Sequence, residues 1–470
     1  MSDPAATRHA WAEQANASAK QEDGKIAYEG SVAFGGETLH RYRLGNGLAV
    51  LVLVDASAPT VAYHTWFNVG SRHEHPGKTG LAHLFEHLMF GETENLKAGV
   101  FDRKLEESGA ETNAATWVDW TYYHELLPAD RLRLAITLEA ERMQHLVLRE
   151  PQVASEKEVV ANERRYRVDD DVEGLANELL YKTAFTSHPY QWPTIGWMED
   201  IKNFSPEDCV AFYRTYYAPN NACVVVAGDV KERNLLLWIR DAYGVIPAQA
   251  IPAEDVIPEP PQREERRLEL RKPTASEKLL LAYKGPALGD ADHATMSVLS
   301  EILFGGRASR LYRSLITEAE LAIDVRGWVS TFRDPGLYEC WVTARGKHTT
   351  LEILPLLDAA FARVRDEVVG EEELARAKAR LELGSLQQLE TVSGKAEQIG
   401  FFETVLGEPS HAFRRVEAYR RVTASDLRKV ARRYLVDESR TVLRVAPEEP
   451  AAVAPLHPAD ASASPAAPAS

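Results

Sequence analysis

Runs of apolar residues of two lengths punctuate this chain, and their spacing predicts a mixture of strands and helices. AVLVLV (49–54), VAYHTWFNV (61–69) and KLLLAYKG (278–285) are short, continuous runs that read as buried strands. Apolar positions at helical spacing predict helices through HLFEHLMFGE, around Glu156–Tyr181, over Pro206–Tyr217 and over Gly370–Phe401. Strands and helices come in runs rather than in strict alternation. That predicts an α+β architecture, with mostly antiparallel sheets each covered by helices on one face.

The pattern occurs twice. FSPEDCVAFYRTYYAPNNACVVVAGDV (204–230) and VTASDLRKVARRYLVDESRTVLRVAPE (422–448) each read as an N-capped amphipathic helix, a short turn and an apolar strand. Asp208 aligns with Asp426 and Tyr216 with Tyr434, at an offset of 218. Aligning Phe90-Gly91 with Phe304-Gly305 gives an offset of 214 and places Ser297, Ser300 and Glu301 opposite His83, Glu86 and His87. The chain therefore divides into two homologous repeats, 28–247 and 266–446, joined by a Pro- and acid-rich linker, 248–265. A polar arm, 1–27, is expected to be loose, and the Ala/Pro/Ser tail, 447–470, to be disordered.

Composition narrows the class. The chain has 470 residues, 45% of them hydrophobic, enough for several cores. A net charge of −16 argues against a nucleic-acid partner and gives at most a weak leaning towards basic substrates. No run of eighteen apolar residues occurs, so no membrane span is expected. The start, MSDPAATRHAWAEQ, lacks the basic and apolar regions of a secretory signal. That predicts a cytoplasmic location, or a periplasmic one had a signal been removed. The three cysteines, Cys209, Cys223 and Cys340, have no CxxC spacing and read as small buried hydrophobes. Any zinc must then be held by His and carboxylates.

GLAHLFEHLMFG (80–91) carries the chemistry. His83 and His87, four apart on a helix, present two imidazoles on one face, and imidazoles are standard zinc ligands. Glu86 lies beside them, placed to act as a general base on water rather than as a ligand. This order, HxxEH, is the inverted zinc-peptidase signature. Leu81, Leu84, Leu88 and Met89 give the helix its apolar faces. A catalytic zinc takes three protein ligands and keeps one position open. VASEKEVVANERRYR (153–167) offers Glu156 and Glu163 on one helical face, with Val159, Val160 and Tyr166 expected to form its apolar side.

These motifs resemble those of the pitrilysin (insulinase) family of zinc peptidases, in the half-length branch that includes the mitochondrial processing peptidases. The resemblance covers nearly the whole body. It implies one Zn²⁺ per chain, with Glu163, seventy-six residues beyond His87, as the third ligand, and Glu156 orienting a ligand histidine. SGAETNAATWVDWTYY (108–123) resembles the family's edge strand, which implies that Asn113 and Ala114 contact an extended peptide substrate. SHPYQWPTIG (187–196) resembles a loop near the active helix, and His188 in it has no expected metal role.

One departure stands out. The family's second half normally carries an Arg and a Tyr that hold the substrate carbonyl. The corresponding segment here, LITEAELAIDV (315–325), has Ile316 and Ile323 at those positions. Isoleucine cannot stabilise an oxyanion. Arg307, Arg310 and Tyr312 lie nearby and are expected to be structural. The resemblance thus implies a zinc endopeptidase subunit completed by a homologous partner chain that lacks HxxEH and supplies the Arg/Tyr pair. A weak or inactive homodimer and a non-catalytic scaffold of the same fold are the alternatives.

Overall fold

The structure is a computed structural model that describes residues 4–19, 21–254 and 257–448. The expected disordered tail lies outside the described residues except for Pro447 and Glu448. Seven strands build the first sheet: β1 (Ile26–Phe34), β2 (Glu37–Leu44), β3 (Ala49–Val54), β4 (Thr60–Phe67), β5 (Glu111–Thr116), β6 (Thr121–Pro128) and β7 (Ala222–Gly228), in the order β1-β2-β3-β7-β4-β6-β5. Five build the second: β8 (Arg266–Lys272), β9 (Lys278–Lys284), β10 (Ala322–Val329), β11 (Leu337–Ala344) and β12 (Arg440–Pro447), in the order β10-β11-β9-β12-β8.

The duplication is visible strand by strand. In the first sheet β3 runs parallel to β7, and β4, β6 and β5 follow antiparallel. In the second β8 runs parallel to β12, and β9, β11 and β10 follow antiparallel. The hairpin β1–β2 is the first sheet's addition. The helices Pro206–Tyr216 and Ala424–Tyr434 open on matching capping boxes, Ser205 with Asp208 and Thr423 with Asp426. Each box satisfies backbone N–H groups that the first helical turn leaves unpaired.

A sheet has two faces, and the helices of its own repeat bury only one. On the first sheet that core holds Tyr63, Phe67, Phe85, Tyr123 and Ile239; on the second it holds Tyr283, Leu299, Tyr338 and Phe361. The opposite faces are covered by exchange. The helix Val392–Leu406 of the second repeat lays Ile399 and Phe402 on Leu51, Trp66 and Val225 of the first sheet. The helix Val172–Ala184 of the first repeat lays Ala176 and Leu180 on Leu280, Trp341 and Leu443 of the second. Both sheets are therefore covered on two faces rather than one. Charges brace the exchange: Lys395 reaches Asp55 at 2.7 Å and Glu37 at 2.8 Å. Elsewhere Arg72 bonds Asp334 at 2.9 Å, and Arg333 bonds linker residue Glu254 at 2.7 Å.

Three expectations need correction. The arm is not loose over Pro4–Asn16, which is a helix with Ala12 and Ala15 buried against the first core. Its Arg8 pairs with buried Glu232 at 3.0 Å, so apolar contact and an ion pair offset the ordering cost. The helix expected over 370–401 is two, Glu371–Gln387 and Val392–Leu406, broken where Thr391 caps the second by accepting from the Gly394 amide. The helix expected around Glu156–Tyr181 is likewise broken near Asp170: Val159 is exposed on Glu150–Arg164, whose buried apolar side is Val153, Val160 and Ala161, and Tyr166 is exposed in the turn Arg165–Asp169 beyond it. All three cysteines are free and buried, as expected.

Gly400 sits where the exchanged helix crosses Trp66, and a Cβ there would fall 2.0 Å from the indole nitrogen. Gly400→Ala gains about 1 kcal/mol of helix propensity. It loses roughly 1–3 kcal/mol to overpacking, so denaturant unfolding should show a net loss; unchanged stability would mean the helix docks loosely. Glu254 is held down at about 2 by hydrogen bonding from His73, against burial, with help from the Arg333 and Arg72 guanidiniums. A depressed carboxyl stabilises the fold above its unfolded value, 4.5, and the benefit is lost as pH falls through about 2. Since a third of the side chain is exposed, Glu254→Gln should cost on the order of 1 kcal/mol at neutral pH. The gap to wild type should close in acid, as read by urea midpoints across pH.

Candidate metal centre

The helix Leu81–Leu88 starts abruptly. Gly80 takes φ 96°, a left-handed conformation suited to glycine, and a Cβ there would fall 2.5 Å from the Ile195 carbonyl. The buried Glu74 carboxyl accepts from the Gly80 and Ala82 amides, each at 2.8 Å, and so caps two N–H groups that the first turn leaves unpaired. Burial raises the Glu74 carboxyl well above the ordinary range, while those two amides pull it down. Leu81, Leu84, Phe85 and Leu88 bury the apolar side of the helix. His83, Glu86 and His87 are left facing a cleft of about 970 Å³ between the repeats.

The second element of the candidate centre is the helix Glu150–Arg164, whose last turn carries Glu163. It packs against the first so that His83 Nε2 lies 3.7 Å, and His87 Nε2 3.3 Å, from Glu163 Oε2. Ligand atoms of these three residues all fall within 4.8 Å of one another, and they form the one such cluster among the described residues. Tetrahedral zinc with bonds of about 2.0–2.1 Å separates neighbouring ligand atoms by about 3.3 Å. The donor set, two imidazoles and a carboxylate, fits that ion. Glu156 Oε2 stands 3.7 Å from His87 Nδ1, the nitrogen turned away from the cluster. That is ion-pair range rather than hydrogen-bond range.

Electrostatics divides the two histidines. Burial pulls the His83 imidazole down to about 4, against the attraction of Glu163. Burial also pulls on His87, but the carboxylates of Glu156 and Glu163 outweigh it and leave the ring up at about 9. Glu163 is held low, chiefly by His87. Burial raises the Glu86 carboxyl, with Thr116 and His87 opposing. Glu86 lines the cleft with the cluster but is not part of it.

β5 is the outermost strand of its sheet, so one edge of its backbone is unpaired. Asn113, Ala114 and Thr116 lie on it and line the cleft, as does Trp117 just beyond its end. The second repeat closes the far side with Arg326, Trp328, Phe332 and Trp341. Sequence reasoning missed these residues, and no local motif marks them. Ile316 packs against the second core, and Ile323 is exposed on β10; neither lines the cleft. Arg310 is held by Glu373 at 2.8 and 2.7 Å, and Tyr312 packs against the second core. Neither of these, nor Arg307, lines the cleft. His188 pairs with Asp334 at 3.1 Å, away from the cluster.

Residues 49–196 match the insulinase (peptidase family M16) sequence model, and residues 203–381 match the peptidase M16 inactive domain. The zinc protease PqqE of Helicobacter pylori is 30% identical over 414 residues, covering 86% of this chain and 92% of the relative. The mitochondrial-processing peptidase subunit beta of Blastocladiella emersonii is 25% identical over 414 residues, covering 87% and 88%. A crystal structure of a protease from Helicobacter pylori superposes with a TM-score of 0.84 at 28% identity, covering 87% of this chain and 99% of that one. Fold and sequence together place the chain among the M16-type proteins built of two α+β repeats. The chain belongs to the insulinase family. No described helix is long and apolar enough to cross a membrane.

With this cluster, the purified chain is expected to take up one Zn²⁺. His87→Ala and Glu163→Ala should each abolish stoichiometric binding, and Glu156→Gln should weaken it about 10–100-fold. Metal analysis after gel filtration checks the first two, and chelator competition the third.

Proposed function

We propose that this chain is a zinc-dependent endopeptidase subunit that cleaves extended, unfolded peptides, with His83, His87 and Glu163 holding the metal. One observation carries the reading: the two imidazoles and the carboxylate converge within zinc-ligand spacing, in a cleft that also holds Glu86 and borders the unpaired edge of β5. When bound, zinc supplies Lewis acidity that polarises the scissile carbonyl and makes water easier to deprotonate. Glu86 accepts the proton of the attacking water on its carboxylate and returns it to the leaving amine. Its raised affinity for a proton suits both transfers. Glu156 keeps His87 turned towards the metal. The free edge of β5 binds substrate backbone by strand addition, with Asn113 and Ala114 beside the reacting bond. A folded domain offers no extended segment for that edge, which favours unstructured substrates.

Stabilisation of the developing oxyanion is the weak point of the chain taken alone, because Ile316 and Ile323 replace the expected Arg and Tyr. A homologous partner chain lacking HxxEH and carrying that pair would complete the site. The relative named as a subunit beta supports this reading. A non-catalytic scaffold is the second reading, favoured by the same two isoleucines.

Glu86→Gln should keep zinc and lower peptide turnover by at least 10²-fold. Hydrolysis of a panel of unstructured peptides, followed with and without a candidate sister chain, tests the rest. Turnover that needs the sister chain supports the split site; turnover by the chain alone removes the need for a partner. Zinc binding without hydrolysis in either case favours the scaffold.

A further inference from the structure

The zinc reading leaves one mechanical question. His83 and His87 ride on one helix and Glu163 on another, so the metal geometry is only as good as the register between the two. The residue next to Glu163 is Arg164, which is buried and points elsewhere. Its guanidinium makes a forked pair with Glu178, at 2.7 and 3.1 Å, and donates to the Gly196 carbonyl at 2.8 Å. Asp169 lies 3.5 Å away, and the Trp197 ring lies 5.8 Å from the guanidinium carbon.

Gly196 belongs to the loop after Trp192, and that loop grips the other helix. It takes φ 84°, and a Cβ on it would fall 2.2 Å from the Thr79 carbonyl. Thr79 in turn donates from its amide and hydroxyl to Asp200, at 3.0 and 2.6 Å, and accepts from the Trp197 amide at 3.0 Å. Thr79 and Gly80 immediately precede the helix that carries the histidines. Arg164, the segment 193–200 and Thr79–Gly80 thus form a continuous chain of hydrogen bonds and close backbone contact from one metal-bearing helix to the other.

We propose that Arg164 is a positioning residue: through the 193–200 segment it sets Glu163 in ligating register with His83 and His87, and so tunes zinc affinity without touching the metal. The inference rests on the zinc reading of the site. A buried forked Arg–carboxylate pair fixes orientation as well as position, which lysine cannot reproduce. Groups that orient ligands without coordinating typically change metal affinity about 10–100-fold.

The test is the zinc dissociation constant of the full-length chain by chelator competition, together with the visible spectrum of the Co²⁺-loaded protein. Arg164→Lys is compared with Arg440→Lys, which removes an equally buried guanidinium, paired with Glu265 and Asp358, from the second repeat. Arg164→Lys should bind zinc about 10–100-fold more weakly, with altered Co²⁺ bands, while Arg440→Lys keeps both at wild-type values. Unchanged zinc affinity and spectrum in Arg164→Lys overturn the proposal. So does an equal loss in Arg440→Lys, since general loosening would then be the cause. If circular dichroism shows Arg164→Lys to be unfolded, Gly196→Ala probes the other side of the loop, with the same loss expected and wild-type affinity overturning the idea. Absence of zinc binding by the wild-type chain itself overturns the zinc reading, and this inference with it.

Discussion

Each repeat makes a sheet with two apolar faces, and its own helices bury only one of them. That shortage of cover is the constraint the rest of the structure answers to. Exposed apolar sheet faces are unfavourable in proportion to their area, and the two repeats remove them by exchanging one helix each. The repeats cannot then be separated without uncovering Trp66 and Val225 on one side and Leu280 and Trp341 on the other. The cleft between them is consequently a fixed feature of the chain, with β5 on one wall and Trp328 and Arg326 on the other.

A fixed cleft matters because the His83, His87 and Glu163 cluster is assembled from two helices that are far apart in sequence. Helix packing brings them together, but packing alone leaves an axial slide. Polar contacts remove it. Glu74 pins the start of the histidine helix. Arg164 pins the end of the glutamate helix and shares the 193–196 loop with Gly80. The buried trio Glu125, Glu139 and Arg142 lies beneath, with the guanidinium over the Tyr123 ring at 4.2 Å and Arg142 reaching Glu125 at 3.5 Å. Removing one member of such a buried set is strongly destabilising, because it strands its partner away from water.

The second repeat shows what the scaffold is without the chemistry. Its helix Ala291–Phe304 stands next to β10 as the histidine helix stands next to β5, and Ser297, Ser300 and Glu301 occupy the places of His83, Glu86 and His87. Ser300 hydrogen-bonds the Gly327 carbonyl at 2.9 Å, and Glu301 pairs with Arg380. The positions that could hold metal in one repeat are spent on internal bonds in the other. The same fold thus serves once as a site and once as a wall.

Much of this was legible in the chain itself. Helix and strand signals, capping boxes and the 3.6-residue repeat are local, so the sequence determined the two repeats, their α+β character, and the shared face of His83, Glu86 and His87. The spacing to Glu163 and Glu156 was readable only through a family resemblance, because nothing local says which distant carboxylate a helix will meet. The tertiary structure alone decided the rest. It packed Pro4–Asn16 onto the core, broke the helix at 388–391, turned Val159 outward, and exchanged the covering helices. It placed Arg326 and Trp328 in the cleft and sent Ile316 away from it. The reason is common to all of these: a residue's partners across a sheet face or a cleft are set by chain segments hundreds of residues away, and periodicity records which face is apolar but not what covers it.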